Sequence, residues 1–426
     1  MVEVLFVLMG VGIILFLGYL AEFLFKKTNI PDILILIIIG FVIGPYVLKY
    51  VDPSAITEYA PIFTTFTLLF LLFEGGLNLS IKSIVEGAVK TFNITIINFI
   101  VSSIMIGVIM FISGFNIWLS LLTGFMLGGV SSAFVIPVVR QLKVKQDTAS
   151  ILTLESALTD VLRIVFAFAA MEIIVSSSID FMASLQTFFL LFIIAGIIGF
   201  IAGLIWIFLV TEIFKQNTPV MLTIAYVILI YVLSELLGGN GAIATLFVGV
   251  TLKNSKSITR RILQILHHND AEVDEIHGVI AVKQAESTFY RQISFFLKTF
   301  FFVYIGLLFN LSNIPALVIG FAIAIILLYT RKISKYVILD FPEYDQQVTQ
   351  AIFARGLAAA AIVQLVILGN IDRASELAAI VYNVIIFTIL LSSLMIFLVN
   401  RGIYVKGKKY VKGKKQKKTA KPIATA

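Results

Sequence analysis

The sequence predicts an all-α polytopic membrane protein. Hydrophobic residues make up 60% of the 426 residues and charged residues 13%, and the mean hydropathy is +1.05. This composition excludes a soluble globular domain. Apolar runs long enough to cross a bilayer as helices recur along the chain, and Lys and Arg concentrate in alternate connecting segments.

The apolar runs predict about thirteen membrane-spanning helices. In chain order they lie near residues 3–24, 31–49, 60–81, 88–112, 116–139, 148–175, 183–212, 217–237, 241–253, 286–310, 313–330, 348–369 and 374–400. The first run is too long for a signal peptide and has no small-residue cleavage site, so we expect it to span the membrane. The run at 241–253 is the shortest of the set.

The positive charges of the connecting segments predict the orientation of the chain. The two sets of alternate segments differ sharply in their number of Lys and Arg residues, because the segments on one face hold little beyond Lys49 and Arg373. The other face carries Lys26, Lys27, Lys82, Lys90, Arg140, Lys143, Lys145, Lys215, Lys253, Lys256, Arg260, Arg261, Arg331, Lys332, Lys335 and the tail from Arg401. We therefore expect a multi-pass protein of the cell (plasma) membrane, with the N-terminus outside and the C-terminus cytoplasmic.

The predicted helices divide into two sets of six and a linker helix. An odd number of helices before the second set gives the two halves opposite directions, which is the inverted-repeat plan of many secondary transporters. The expected domains are a transmembrane domain over 1–400 and a basic cytoplasmic tail over 401–426. Within the first, the repeats cover about 1–175 and 217–400, and the linker helix about 183–212. The tail supplies much of the net charge of +8, and its expected partner is anionic lipid rather than nucleic acid.

The fifth helix of each half is predicted to be interrupted. The first contains Gly124-Phe-Met-Leu-Gly-Gly-Val-Ser-Ser-Ala-Phe-Val-Ile-Pro137, and the second contains Phe353-Ala-Arg-Gly-Leu-Ala-Ala-Ala-Ala-Ile362. Glycine pairs, serines and proline favour unwound backbone, which would expose amide dipoles inside the membrane. Small residues also serve close helix packing, and that is the alternative interpretation.

Five polar residues share one face of the predicted helix at 148–175. Glu155, Ser156, Thr159, Asp160 and Arg163 fall within an arc of about 140° at the helical angle of about 100° per residue. Most of the rest of that helix is apolar. Because charge inside a bilayer is costly, this stripe must face other protein or a water-filled cavity. It predicts an ion or proton pathway, or alternatively a salt-bridge cluster that only holds helices together.

Three further charges lie deep inside predicted spans: Glu74, Lys298 and Arg355. With Glu155, Asp160 and Arg163 they make three acids and three bases, whose pairing the spacing does not determine. The predicted cytoplasmic segment 254–285 holds His267, His268 and His277, which suits either a pH-sensing or metal-binding role or a solvated, partly helical loop. The chain has no cysteine and no metalloprotease, P-loop or nucleophile-elbow motif, so we expect neither an enzyme nor a cofactor.

Several short motifs, taken together, resemble the monovalent cation–proton antiporters, and most closely the prokaryotic, archaeal-type NhaP-like sodium/proton branch. They are Lys27-x-x-Ile-Pro-Asp32 with Gly40-x-x-x-Gly44-Pro45, Phe73-Glu-Gly-Gly-Leu77, Glu155-Ser156-x-x-Thr159-Asp160, Phe300-Phe-Phe-Val-x-x-Gly306 and Arg355-Gly356. The resemblance covers the whole chain. It implies the NhaA-like antiporter fold and a homodimer, in which a core domain of six helices moves against a scaffold domain.

The resemblance also implies roles for individual residues. Asp160 would bind sodium or a proton alternately, Ser156 would add an oxygen ligand, Glu155 would pair with Arg355, and Glu74 would lie near the site. The candidate ion- and proton-binding residues are Asp160, Ser156, Thr159, Glu74, Ser131 and Val130, with sodium at Asp160 and Ser156. The structural pair is Glu155 with Arg355, and the modulating charges are Arg163 and Lys298.

This chain departs from the branch in three places. It has Thr159-Asp160 where the branch usually has Asn-Asp, and Val130-Ser131-Ser132 where it usually has Thr-Asp-Pro. Arg163 stands where a small or apolar residue is usual, and it lies one turn from Asp160, so the two side chains can meet. If so, Arg163 either swings away when a cation binds, for example toward Glu74, or points at another acid throughout and is only structural.

The expected function is the exchange of sodium or lithium for protons by alternating access. A single aspartate at the central site favours electroneutral, one-for-one exchange. One alternative is a potassium/proton antiporter on the same fold. A second is a membrane sensor or scaffold that does not transport, with Asp160 neutralised by Arg163.

Overall fold

The computed structural model describes residues 2–28, 31–51, 60–79, 88–142, 144–176, 181–214, 220–266 and 284–401. Within these ranges the protein is helical, with sixteen α-helices and no strand. The helices are α1 (Val2–Thr28), α2 (Asp32–Ile43), α3 (Ala60–Asn78), α4 (Ala88–Ile112), α5 (Ile117–Met126), α6 (Ser132–Gln141), α7 (Gln146–Ser176), α8 (Phe181–Phe208), α9 (Val220–Leu236), α10 (Gly241–Lys253), α11 (Ser255–Leu266), α12 (Gln284–Leu307), α13 (Ile314–Thr330), α14 (Glu343–Ala351), α15 (Leu357–Leu368) and α16 (Ala374–Asn400).

Two short helical turns of other types extend this set. A π-helical turn at Leu209–Ile213 follows α8, and a 3-10 helix at Arg331–Tyr336 follows α13. The all-α prediction is confirmed. The number of helices differs from the predicted thirteen because two predicted spans each hold two helices, and because α11 lies in a segment predicted as a cytoplasmic loop.

The number of membrane crossings stays a prediction. In the described part of the chain, five helices are long and apolar enough to cross a membrane by length and composition, at Leu8–Phe25, Lys90–Ile112, Ile193–Ile213, Ile314–Tyr336 and Ala374–Asn400. The inverted repeats, the domain bounds and the orientation also stay predictions. The three histidines and the tail beyond Arg401 lie outside the described residues.

The centre of the bundle is formed by α7 and α15. Helix α7 packs on α4, α5, α6, α8 and α15, and α15 is apolar on every side and buried along most of its length. A helix that is hydrophobic all round belongs in a core. Large apolar side chains on α1, α8, α9 and α13 are exposed instead, among them Phe16, Ile197, Leu229 and Val318. This arrangement suits a lipid-facing perimeter around a protein-filled centre.

Candidate ion-binding site

Two interrupted helices cross at the centre of the molecule. The first pair, α5 and α6, is separated by residues 127–131, and the second, α14 and α15, by residues 352–356. At the crossing the backbone N–H of Ser131 donates to the carbonyl of Ala354 at 3.0 Å. The two predicted interruptions are therefore confirmed. Each break leaves helix-end amides and carbonyls available at the centre of the bundle.

Glycine makes both breaks possible. Gly129 has φ +75°, and a Cβ there would lie 2.3 Å from the Cβ of Thr159. A Cβ on Gly356 would lie 2.5 Å from the hydroxyl oxygen of Ser131. A larger side chain at Gly129 would push the first break away from α7, and one at Gly356 would push the two breaks apart. Pro137, which the sequence also suggested as part of the interruption, lies inside α6 instead.

Asp160 lies against the beginning of α6. Its side chain is almost fully buried, and its Oδ2 atom accepts a hydrogen bond from the hydroxyl of Ser132. The backbone N–H of Ser132, the first residue of α6, points to the same oxygen at 3.4 Å. A helix N-terminus carries partial positive charge, so it favours an ionised carboxylate at this position.

Arg163 contacts the other oxygen of the same carboxylate. Its Nη1 atom lies 3.2 Å from Oδ1 of Asp160, and the guanidinium is 0% exposed. Neither of these two atoms has a hydrogen-bond partner of good geometry among the described groups, so the contact is an ion pair only. The Nη2 atom of Arg163 donates to the carbonyl of Val130 in the first break. The expectation that Arg163 can meet Asp160 is confirmed, and its described contacts include no other acid.

Thr159 holds the first break against α7. Its hydroxyl oxygen lies 3.1 Å from the carbonyl of Val130 and accepts from the N–H of Val130 at 3.3 Å. The Val130 carbonyl thus faces both Thr159 and Arg163 in this conformation. It was predicted as a cation ligand, and in this conformation it accepts a hydrogen bond from Arg163.

Two predicted oxygen ligands, Ser156 and Ser131, have other described contacts in this conformation. The hydroxyl of Ser156 donates to the carbonyl of Thr153 within α7 at 2.8 Å, and Ser131 contributes its backbone to the helix crossing. The serine that reaches Asp160 is Ser132, which the prediction did not include among the ligands. The reason is the helix start at Ser132, because the first N–H groups of a helix point out along its axis.

A cavity of about 660 Å³ leads to Asp160. Asp160 and Ser132 belong to its lining, together with Ala157 and Val161 of the same region. Its other charged lining residues are Glu22, Asp32, Glu74, Arg291 and Lys298. Ser131, Ser156, Thr159 and Val130 are not among the described residues that line it. Carboxylates outnumber bases along the lining, which raises the local concentration of cations.

Glu155 has a different partner from the one implied by the family resemblance. Both of its carboxylate oxygens accept from the guanidinium of Arg331, Oε2 at 2.8 Å, and Oε1 also accepts from Asn98 at 3.0 Å. The described structure shows no direct contact between Glu155 and Arg355. Arg331 had been assigned to the cytoplasmic face because it begins a basic segment, but its side chain is buried and anchored on the Thr349 carbonyl.

Arg355 supports the second break instead. Its guanidinium donates to the carbonyl of Phe353 at 2.8 Å, and its backbone N–H donates to the hydroxyl of Thr388 on α16 at 3.0 Å. The break follows the C-terminal end of α14. A buried cation there compensates the partial negative charge of the exposed helix-end carbonyls.

Lys298 pairs with an acid that the sequence analysis did not count. Its ammonium lies 2.7 Å from Oδ2 of Asp32, the first residue of α2. Both residues belong to the cavity lining. Asp32 lies at the end of a predicted span, so it was quoted only as part of a motif. Its position at a helix start was the available signal, because carboxylates favour the first turn.

Comparisons with known proteins identify relatives of this chain. The family model described as sodium/hydrogen exchanger, transmembrane, matches residues 12–401. Na(+)/H(+) antiporter 1 of Methanocaldococcus jannaschii is 32% identical over 166 residues, which are 36% of this chain and 37% of that protein. The aligned part thus spans little more than a third of that relative's length.

Two solved structures share the fold. The sodium proton antiporter MjNhaP1 from Methanocaldococcus jannaschii at pH 8 superposes with a TM-score of 0.72 and 20% identity, over 93% of this chain and 97% of that one. An electron-microscopy structure of the same antiporter gives 0.67 and 19%, over 95% and 99%. At such low identity the likeness establishes the fold of the bundle.

Proposed function

The chain belongs to the sodium/hydrogen exchanger family, and on that premise we propose that it exchanges sodium or lithium for protons across the plasma membrane. The exchange is secondary active transport, in which the cation and the proton compete for the carboxylate of Asp160. The position of Asp160 carries this proposal. It is a nearly buried acid at the inner end of a cavity, where two broken helices cross.

The arrangement of charges supports Asp160 as the exchanging group. Both oxygens of Glu155 are bound by Arg331 and Asn98, and one oxygen of Asp32 is paired with Lys298. Asp160 combines an opening to the cavity with a hydroxyl oxygen from Ser132. Carboxylate, hydroxyl and water oxygens are suitable ligands for a hard monovalent cation. Half-helix ends beside such sites are a recurring feature of secondary transporters.

A single exchanging carboxylate favours electroneutral, one-for-one exchange. The carboxylate binds either one cation or one proton, and each carries the same charge in the opposite direction. Alternating access then requires the site to open to the two faces in turn. The cavity is lined by Glu22 and Asn78 near the ends of α1 and α3. These ends precede the basic segments of the predicted cytoplasmic face, so we assign the described conformation as inward-facing.

The proposed assembly follows the family resemblance. It is a homodimer in which a core of six helices moves against a scaffold, with anionic lipid at the basic tail. A non-transporting sensor is the second candidate function. The observation that favours it is the ion pair between Arg163 and Asp160, which leaves the carboxylate neutralised without any bound ion.

Transport in proteoliposomes tests the proposal. The purified protein is reconstituted into vesicles with a preset pH gradient and an internal pH-sensitive dye. Sodium, lithium or potassium is then added as the chloride salt, with protein-free vesicles as the control. We expect sodium and lithium to collapse the gradient rapidly. A response to potassium alone would establish the potassium/proton alternative, and no response to any of the three cations would favour the sensor.

A further inference from the structure

Arg163 contacts Asp160 but does not line the cavity that reaches it. The cavity reaches the carboxylate along Ser132, Ala157 and Val161. Arg163 is not among the described residues that line the cavity, and its side chain is completely buried. A cation that enters through the cavity therefore reaches the carboxylate where the cavity is lined by it, while the guanidinium contacts the same carboxylate from within the protein, behind the cavity lining.

The guanidinium is held in this position by a second anchor. Its Nη2 atom donates to the Val130 carbonyl, and Val130 is itself held by Thr159 of the same helix. The preceding residue, Gly129, donates its N–H to the hydroxyl of Ser102 on α4 at 3.2 Å. Movement of Arg163 away from Asp160 would break the contact with the helix break as well. The contacts favour a guanidinium that stays in place when an ion binds.

The surrounding elements offer Arg163 no other described carboxylate contact. On α7 itself, Glu155 is paired with Arg331, while Asp147 and Glu172 lie near its two ends. Helices α5, α8 and α15 contain no charged residue. The remaining charges of the packed elements are Lys90 on α4, Arg140 on α6, Glu343 and Asp345 on α14, and Arg355 in the second break.

We propose that Arg163 is a fixed counter-cation behind Asp160, which weakens the binding of sodium and of protons together and so sets the range of sodium concentration and pH in which the exchanger works. This inference rests on the proposed function and makes it more specific. A positive charge beside a carboxylate opposes the approach of any second cation. Sodium and the proton bind the same carboxylate, so one guanidinium reduces both affinities by a similar factor.

The proposal predicts a distinctive dependence on pH. At alkaline pH few protons compete, so the apparent sodium affinity reports sodium binding alone. At acid pH it reports the ratio of sodium to proton affinity, in which a factor common to both cancels. Removal of Arg163 should therefore tighten apparent sodium affinity at alkaline pH and leave it nearly unchanged at acid pH. Proton inhibition should begin at a higher pH.

The test compares three variants in proteoliposomes across a pH series. Arg163→Met removes the charge and keeps an unbranched side chain, whereas Arg163→Lys keeps the charge. Lys90→Met is the matched control, because it removes a cation that pairs with Asp340 at the surface and that is not among the described residues lining the cavity. We expect Arg163→Met to lower the sodium concentration for half-maximal exchange by roughly tenfold at alkaline pH, a usual size for coupling between two ligands. The lysine variant should stay close to the wild type.

The outcomes separate this inference from the proposed function. Equal sodium dependence and pH profile in the wild type and in a folded Arg163→Met protein would overturn the inference and leave the exchange reaction intact. A tightening of equal size at every pH would also overturn it, since a general structural change gives that result. If Arg163→Met fails to fold, the same comparison is made with Arg163→Gln and Arg163→Lys. Absence of exchange in wild type and variants alike would overturn the proposed function itself.

Discussion

Two carboxylates on helix α7, Glu155 and Asp160, have the same chemistry and different surroundings. Both are buried, and both face a guanidinium. Glu155 is bound through both oxygens by Arg331 and by Asn98. Asp160 has one looser ion pair, a serine hydroxyl and an opening to the cavity. Under the proposed function, access to the cavity and incomplete pairing distinguish the exchanging carboxylate from the structural one, rather than residue type or depth.

The comparison first predicts that Asp160 is indispensable for exchange. Asp160→Asn keeps the shape of the side chain and removes its ability to bind either ion as a carboxylate. We expect exchange to fall to the background of protein-free vesicles in protein that still folds, and the melting temperature to fall as well, because the buried Arg163 loses its acid partner. Sodium-driven proton movement that persists in this variant would contradict the assignment of Asp160.

The second prediction concerns the stability provided by Glu155. Removing one partner of a buried ion pair leaves an uncompensated charge and costs roughly 3–5 kcal/mol. Arg331→Ala should therefore lower the melting temperature strongly, and the added change Glu155→Ala should recover part of the loss.

A double-mutant cycle on thermal unfolding measures this coupling. The matched cycle pairs Glu155→Ala with Arg355→Ala, and it should give a smaller interaction energy because those two residues share no direct contact. Strictly additive losses for Glu155 and Arg331, or a larger coupling with Arg355, would restore the pairing implied by the family resemblance.

The third prediction separates the two serines near Asp160. Ser132 donates to the carboxylate and lines the cavity, whereas Ser156 donates within its own helix. Ser132→Ala should raise the sodium concentration for half-maximal exchange by roughly tenfold, or about 1.4 kcal/mol, because it removes the hydroxyl oxygen that we propose as a ligand of the cation. Ser156→Ala should change it much less, and the reverse order of effects would return the ligand role to Ser156.

The smallest effect is expected at an exposed ion pair. Lys90 donates to Asp340 at the surface, and this hydrogen bond holds the pKa of Asp340 below its ordinary value. A lowered folded-state pKa stabilises the protein above the pKa of the unfolded chain, and this stabilisation is lost as the pH falls through the folded-state pKa.

Lys90→Gln should therefore lower the melting temperature by no more than about 2 °C at neutral pH, because exposed pairs contribute little. The difference in melting temperature should disappear in strongly acid solution, at a pH below the ordinary pKa of an aspartate. A large loss of stability at neutral pH would show that this surface pair matters as much as the buried one.

The sequence was sufficient for features that depend on local composition. Apolar runs located the helices, and the glycines at Gly129 and Gly356 located the two breaks, because backbone freedom and close approach depend on residue type. The polar stripe on α7 identified Asp160, because its spacing alone sets which residues share a helix face. These parts needed no knowledge of tertiary packing.

The partners of the charges needed the folded structure. Arg331 lies 176 residues from Glu155 in sequence. It was predicted to lie at the cytoplasmic face because basic residues follow it directly. The contact between Ser132 and Asp160 depends on α6 beginning at Ser132, and the residue spacing does not determine where that helix begins. The side of Asp160 on which Arg163 lies depends on where the cavity opens, which no spacing along the chain encodes.

Proton release on sodium binding tests the central claim, that sodium and the proton compete for Asp160. Sodium is added to purified protein in weakly buffered detergent solution at a series of pH values, and released protons are measured with a pH indicator. The account predicts release approaching about one proton per bound sodium where Asp160 is protonated, and none in Asp160→Asn. Equal release from the wild type and from Asp160→Asn would contradict it.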